Sequence, residues 1–266
     1  MRRSHLLWLL AVLPLVSCGL IWTHGTDSYT YTKEIVVAID FDTDVTGTDD
    51  PAPGTLIDQS PRSLGNNAEC LKAENAARYR CPTFVLAGGP NGSGAYEWEV
   101  DLFDDVFLID DSESLDFSGV NEFSISFDAK TSDWGNATAF VTSKFGEWEL
   151  KNLIGASPPH DQVAFSTVGE ASFIATSGAE ANNAWHHILL IWDGPNSLRS
   201  IYVDNALVSS SAITATVPNA TTPIEIGQRL IFDFVGLLDN YRVYNYALGL
   251  ATTPDTINDD YIAGDI

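Results

Sequence analysis

The chain has 266 residues, and its 36 acidic residues against 13 basic ones give a net charge of −23. Hydrophobic residues make up 45% of the chain, which excludes a disordered protein, and the length is enough for one large all-β domain or two ordinary ones. Nucleic acid is excluded as a partner, because neutralising phosphates requires clustered Lys and Arg. Cations, neutral sugars and basic surfaces remain. A helical bundle is disfavoured, because β-branched residues are abundant and there is only one Met.

The N-terminus resembles an export signal. Arg2 and Arg3 precede an apolar run at 6–16 that is too short to span a bilayer, as in a signal peptide over residues 1–17. The last four residues before Gly19 read Leu-Val-Ser-Cys and resemble a bacterial lipobox, which implies cleavage before Cys18 and lipidation of its thiol. An ordinary signal peptide cut elsewhere and an uncleaved anchor are the alternatives. All three predict export, to the cell envelope or outside the cell.

Strand patterns separated by turn residues occupy the rest of the chain. Residues 18–32 are a polar tether, 33–41 a first apolar strand, and 42–67 a long loop rich in Asp, Pro, Gly and Ser. Further strand patterns follow at 84–87, 96–100, 106–109, 123–129, 138–144, 147–153, 162–168, 171–176, 186–192, 199–204, 223–227 and 232–244. About thirteen strands without a convincing helix predict an all-β antiparallel sandwich, formed as one domain over residues 33–266. Only 254–261 has the pattern of a helical turn.

Cysteine usage agrees with export. If Cys18 is the lipidation site, Cys70 and Cys81 remain, and in an oxidising compartment they would form one disulfide. Two unpaired thiols are the alternative. The sequence contains no C-x-x-C motif, which excludes a zinc ribbon.

An ordered series of short motifs marks the C-terminal third. They are Trp185-His186-His187, Asp193-Gly194, Tyr202-Val203-Asp204-Asn205, Ile226-Gly227 and the run from Gly236 to Tyr244. This series resembles the laminin-G/pentraxin-like group of the concanavalin A-like lectin and glucanase superfamily, and upstream segments extend the resemblance to roughly residues 34–262. The resemblance implies a two-sheet antiparallel jelly roll whose concave face binds ligands. It implies no particular chemistry, because lectins, adhesion modules and glycosidases share the fold.

The resemblance also implies a structural calcium ion where the first strand meets the last. By position, Asp42 and Asp239 are the expected carboxylate ligands, with Asp58 or a nearby carbonyl as a third. The alternative for Asp239 is a hydrogen bond to the backbone in a turn. An EF-hand is excluded, because Val45 stands at its glycine position and Pro51 at its terminal glutamate position.

Two other groups of residues are candidates for catalysis or metal binding. Glu99, Asp101 and Asp104 come close to the E-x-D-x-x-E strand of one glucanase branch, but the shorter Asp104 and the surrounding turn pattern favour an ordinary acidic loop. His186 and His187 are adjacent in a strand and point to opposite faces, so they cannot bind one metal ion together.

Aromatic residues are the expected ligand-binding residues, because sugars stack on exposed rings. Trp134 lies in a polar loop, Trp148 lies between two glutamates, and Tyr96 and Trp98 flank another. Core packing is the alternative for each ring. The sequence therefore predicts an exported cell-surface module that binds a glycan or a cell-surface protein and contacts membrane only through its N-terminal anchor. A polysaccharide hydrolase or lyase and a structural subunit of an extracellular assembly are the alternatives.

Overall fold

The structure, a computed structural model, describes residues 33–45, 54–61, 64–70, 79–99, 104–134, 139–152, 162–229 and 232–248. All of these residues belong to one unit of the chain, Lys33–Ile266. The predicted signal peptide, Cys18, the tether and the helical turn at 254–261 lie outside the described residues. Within the described residues, no helix has the length and apolar character needed to cross a membrane.

Two antiparallel sheets form the molecule, which confirms the predicted sandwich. The first sheet has eight strands, in the order β16-β15-β14-β9-β20-β6-β5, and β1 also pairs with β20. Its strands are β1 (Ile35–Ile39), β5 (Thr83–Val85), β6 (Ala95–Trp98), β9 (Glu122–Lys130), β14 (Trp185–Asp193), β15 (Leu198–Val203), β16 (Ala206–Ala212) and β20 (Gly236–Tyr244). The first and last strands of the described chain are therefore neighbours.

The second sheet has ten strands, and eight of them follow the order β13-β12-β11-β10-β17-β8-β3-β2. Its strands are β2 (Gly54–Leu56), β3 (Ala68–Cys70), β8 (Phe107–Ile109), β10 (Phe140–Lys144), β11 (Trp148–Asn152), β12 (Val163–Thr167), β13 (Ile174–Ala175), β17 (Ile224–Ile226), β18 (Gln228–Arg229) and β19 (Phe232–Asp233). A separate pair joins β4 (Tyr79–Arg80) to β7 (Asp104–Asp105) in parallel. Two short 3₁₀ turns occupy Pro90–Gly92 and Glu113–Leu115.

The described chain contains more strands than the sequence pattern predicts. The predicted loop over 42–67 contains β2, and several other additions are strands of two or three residues. Such short strands carry no readable alternation, because a period of two residues needs at least four positions to be recognised. They depend on pairing with neighbours that are distant in sequence.

The side chains of strand β9 alternate between two faces, and both faces are buried. Phe123, Ile125 and Phe127 point into the core, while Ser124 and Ser126 on the opposite face are also fully buried. The segment after β20 covers them: the Ser124 hydroxyl donates to the Tyr246 carbonyl and accepts from the Leu248 amide. A second apolar cluster forms on this outer face, from Leu189, Ile191, Tyr202, Tyr244 and Leu248.

One disulfide joins Cys70 at the end of β3 to Cys81, which confirms the predicted pairing. The two Cα atoms are 4.8 Å apart, and the bridge closes a loop with a sequence separation of 11. Gly54 lies against it, because a Cβ at that position would come within 2.9 Å of the Cys70 sulfur. The bridge therefore ties β3 to the chain segment that leads into β5.

Candidate functional site

The four aromatic residues predicted to bind ligand are core residues, which corrects that prediction. Trp134 is 1% exposed, and Trp148, Tyr96 and Trp98 are fully buried. Trp134 contacts Phe234, with ring centroids 5.7 Å apart, although its loop is polar in sequence. A sugar ring cannot stack on any of these four side chains in this fold.

Tyr96 and Trp98 satisfy their polar atoms inside the protein. The Tyr96 hydroxyl donates to the Thr43 carbonyl at 2.8 Å and accepts from the Val45 amide at 2.9 Å, and burial raises its pKa to about 12. The Trp98 indole N–H donates to the Asp105 carbonyl. A Cβ at Gly227 would overlap this indole, so the ring fills the space that a glycine leaves. Both aromatics therefore hold the sandwich together.

A row of outward-facing residues crosses the second sheet, and the sequence analysis missed it. Cross-strand pairing joins each member to the next, from β2 to β12. The members are Thr55, Glu69, Leu108, Glu225, Ser143, Glu149 and Ser166. Three of the seven are glutamates and none is basic. We refer to these seven residues as the acidic row.

Alternation along each strand explains why the row faces outward. Ile224 and Ile226 are core residues, so Glu225 between them points to the other side of the sheet. Trp148 and Leu150 place Glu149 outward in the same way. This alternation was readable in the sequence, but the pairing of β17, β10 and β11 was not, because these strands are far apart along the chain.

Ser143 lies at the centre of the row, with Glu225 on one side and Glu149 on the other. Neighbouring strands are about 4.8 Å apart, so the backbones of the two glutamates are about 10 Å from each other. The Ser143 side chain is fully buried, and its hydroxyl has no hydrogen-bond partner within the described part of the chain. A buried hydroxyl without a partner is uncommon in folded proteins, and an ordered water or another polar group commonly satisfies it.

The next row on this face is less polar. Lys151 pairs with Phe140 across β10 and β11, and its ammonium lies 5.8 Å from the centre of the Phe140 ring. The same ammonium donates to Glu149 Oε2 at 2.8 Å. The face therefore places carboxylates and a hydroxyl beside a buried ring.

The junction predicted to bind calcium centres on Asp239 in β20. This residue is 1% exposed; its Oδ1 accepts from the backbone amides of Phe41 and Asn240, and its Oδ2 accepts from the Ser93 hydroxyl at 2.9 Å. Burial, followed by the nearby charge of Asp42, raises the pKa of Asp239 to about 7, although these hydrogen bonds act in the opposite direction. The carboxylate joins the end of β1, the segment before β6 and the last strand.

Asp42 and Asp58 differ in their relation to this junction. Asp42 Oδ1 accepts from the Gly94 amide at 2.7 Å, next to Ser93. Asp58 instead accepts from the Ala38 amide in the middle of β1 and from both the amide and the hydroxyl of Ser60. No group of three His, Cys, Asp or Glu side chains within the described ranges could hold a metal ion. Asp42, Asp58 and Asp239 therefore do not form one metal site. Asp58 instead holds β1 through its hydrogen bond to the Ala38 amide.

The remaining groups at the junction are of the chemical types that bind calcium. A Cβ at Gly89 would overlap three oxygen atoms, namely the Gly94 carbonyl, the Ser93 hydroxyl and Asp239 Oδ2, so the oxygens crowd a space that only glycine leaves. Carboxylate, hydroxyl and carbonyl oxygens are the ligands of Ca²⁺. Asp239 and Asp42 would hold the ion, and its charge would favour the ionised form of Asp239.

The glucanase-like motif does not form a site in the described residues. Glu99 is exposed and follows the end of β6, while Asp101 lies outside the described residues. The interpretation as an acidic loop remains a prediction.

The raised pKa of Asp239 predicts a pH-dependent stability in the presence of a chelator. Between pH 4 and pH 7 the folded chain retains a proton on this carboxyl that the unfolded chain has lost, so the free energy of unfolding falls as pH rises through this range. The fall is at most about 4 kcal/mol, from about 1.4 kcal/mol for each pKa unit. Urea unfolding at pH 4.5, 6 and 7.5 would measure it. Asp239→Asn should flatten the profile, and an equal slope in both proteins would contradict the assignment.

Calcium should reverse this loss. We expect 5 mM CaCl₂ to raise the melting temperature at pH 7.5, and to raise it less at pH 5, where Asp239 is protonated. Asp239→Ala should abolish the shift. Asp58→Asn is the matched control, because it removes a buried carboxylate that accepts from the Ala38 amide of β1 and should leave the calcium response in place. A melting temperature that a chelator does not change would rule out the site.

Comparisons with known proteins agree with this architecture. A family profile of the laminin G type, described as the concanavalin A-like lectin/glucanases superfamily, matches residues 104–252. Among curated proteins, no sequence matches this chain.

Solved structures share the fold at low sequence identity. The binding domain of Paraclostridial Mosquitocidal Protein 1 is 15% identical, with a TM-score of 0.57 over 81% of this chain and 50% of that one. Binding domains of Botulinum Neurotoxin DC, one in complex with SialylT and one with rat synaptotagmin II, are 13% identical, each with a TM-score of 0.58 over 86% of this chain and 51% of theirs. This chain thus spans about half the length of these structures. It belongs to the laminin-G-type family of the concanavalin A-like lectin/glucanases superfamily.

Proposed function

We propose that the chain is a binding module that recognises a neutral glycan on the outer face of its second sheet. The observation that carries this proposal is the Ser143 hydroxyl, which is buried and without a partner between the outward-facing Glu225 and Glu149. Carboxylates accept hydrogen bonds from sugar hydroxyls, and a serine can both donate and accept. Three such groups on adjacent strands match a ligand that carries hydroxyls along its length.

The charge of this face selects against acidic ligands. The acidic row contains three glutamates, and Lys151 in the next row is bound to one of them. An anionic glycan would face the like charges of the row and the net charge of −23 of the chain. A neutral polysaccharide avoids this repulsion, and its apolar ring faces suit Leu108, which is partly exposed.

The solved relatives support binding as the class of function. One was solved in complex with SialylT and another with rat synaptotagmin II. Their ligands are not carried over, because the identity is 13% and a sialyl group bears a negative charge. A protein ligand is the second candidate, and the complex with synaptotagmin is the observation that favours it.

The hydrogen bond between Lys151 and Glu149 favours binding over hydrolysis. A retaining or inverting glycosidase needs two carboxyls, one to act as an acid and one to act as a nucleophile or base. Lys151 holds Glu149 Oε2 at 2.8 Å, so one of the two carboxyls beside Ser143 is already engaged by a cation. The same contact fixes Glu149 in a position to accept a hydrogen bond from a sugar hydroxyl.

The Ser143→Ala substitution tests the proposal sharply. Because the hydroxyl has no partner in the described structure, its removal should leave the melting temperature almost unchanged. Affinity electrophoresis in gels containing β-glucan, xylan, mannan or galactan should show retardation of the wild-type chain by at least one of them, and at least tenfold weaker binding by Ser143→Ala and Glu225→Gln.

Glu113→Gln is the matched control, because Glu113 is an exposed glutamate of a short 3₁₀ turn. It should bind like the wild type. Alginate and pectate gels should retard none of the proteins. Retardation of Ser143→Ala equal to that of the wild type would contradict the proposed face, and release of reducing sugar would contradict binding without hydrolysis.

We also propose that the module is displayed outside the cytoplasm on a lipid anchor at Cys18. The Cys70–Cys81 disulfide supports export, since such bridges persist in oxidising compartments. In a bacterial host, labelled palmitate should enter the wild-type chain and be absent from Cys18→Ser. Equal labelling of both chains would exclude lipidation at this residue.

A further inference from the structure

A small polar cavity opens at one end of the first sheet, on a different sheet from the acidic row. Its volume is about 230 Å³, below the usual range for drug-sized ligands, so it suits one small group. Strand β9, the start of β14, the turn after β15 and the 3₁₀ turn before β6 contribute its wall. The lining residues are Pro90, Asn91, Asp128, Trp185, His186, His187 and Asp204.

A buried hydrogen bond between a histidine and an aspartate lines this cavity. His187 is 5% exposed and its Nδ1 lies 2.8 Å from Asp128 Oδ1, while the Asn240 amide donates to Asp128 Oδ2. His187 and Asp128 are directly paired across β14 and β9. The carboxylate is therefore fixed in position by two partners from neighbouring strands.

A second histidine and aspartate stand at the mouth. His186 Nδ1 lies 2.7 Å from Asp204 Oδ2, and Asp204 Oδ1 accepts from the His187 amide. Asp204 and Asn205 both have positive φ, 48° and 64°, which is the geometry of a two-residue hairpin turn between β15 and β16. The turn conformation fixes the backbone of Asp204, and its side chain is 46% exposed.

The adjacent 3₁₀ turn is held in place over the cavity. Ser93 binds Asp239 through its hydroxyl, and the Gly89 amide donates to the Ser93 carbonyl. Asn91, at the tip of this turn, has a φ of 54° and is exposed. The wall is thus anchored to the last strand through a buried carboxylate.

The charge of the lining decides what it can bind. Two carboxylates, Asp128 and Asp204, converge here, and no Lys or Arg is among the residues that line the cavity. Trp185 adds an indole, the aromatic group that attracts cations most strongly.

We propose that this cavity binds the protonated amine of a small ligand, such as an amino sugar or a lysine side chain. Asp128 and Asp204 accept hydrogen bonds from the ammonium group, and Trp185 contacts its positive charge. The net charge of −23 attracts cations to the surface as a whole. The proposal does not rest on the acidic row, so either site can fail without the other.

Ligand-observed NMR and calorimetry on the full chain at pH 7 test this assignment with two matched sets of probes. One set is glucosamine, N-acetylglucosamine and glucose. The other is Nα-acetyl-lysine amide and its Nε-acetylated form. Only the two free amines should bind, and raising NaCl from 50 to 500 mM should weaken them several-fold. Comparison of the two amines distinguishes an amino sugar from a lysine side chain as the source.

Asp204→Asn should weaken amine binding at least tenfold, because it removes one charge while keeping an acceptor for the His187 amide. Asp110→Asn, at an exposed aspartate just after β8, is the matched control and should bind like the wild type. Ser143→Ala should also bind amines normally, which separates this site from the acidic row. Equal binding of the acetylated probes, or equal affinities of Asp204→Asn and Asp110→Asn, would overturn the proposal.

Discussion

The described fold depends on one buried carboxylate. Asp239 lies in the last strand, yet its oxygens accept from Phe41 at the end of β1 and from Ser93 just before β6. Without these hydrogen bonds, the two segments would be connected only through the separate pairing of β1 and of β6 with β20. Burial raises the pKa of this carboxyl, because desolvation disfavours its charged form. The same residue therefore couples the closure of the first sheet to the wall of the cavity that contains Asn91.

The two outer faces of the sandwich differ in what covers them. On the first sheet, the segment after β20 places Tyr246 and Leu248 against Ser124, so most of that face is closed by the chain itself. A cavity of single-group size opens at the end near Trp185. On the second sheet, the acidic row crosses seven strands, as an extended ligand would require. The cavity on the first sheet therefore suits a single small group, whereas the acidic row on the second sheet suits an extended ligand.

The sequence predicted the architecture because its signal is local. Alternation in β9 and the motif from Gly236 to Tyr244 each mark a strand within a few residues, and two cysteines close in sequence predicted their bridge. The site was less predictable, because it depends on which strands are neighbours. Glu225, Ser143 and Glu149 are far apart in sequence and meet only through pairing. Trp134 was wrongly predicted to bind ligand. The polar residues beside it in sequence do not reveal Phe234, the ring against which it packs. His186 and His187 do alternate along β14, yet both reach the cavity because it lies at the end of the sheet.

The charge of this chain says more about the ligand than the fold does. The toxin binding domains have the same jelly roll, and one of them was solved with a sialyl ligand, which is anionic. In this chain the net charge is −23, the acidic row carries three glutamates, and the cavity is lined by two aspartates without Lys or Arg. An anionic group would meet repulsion at each of these places. At the two proposed sites the acidic side chains would favour a neutral chain on the acidic row and a cation in the cavity.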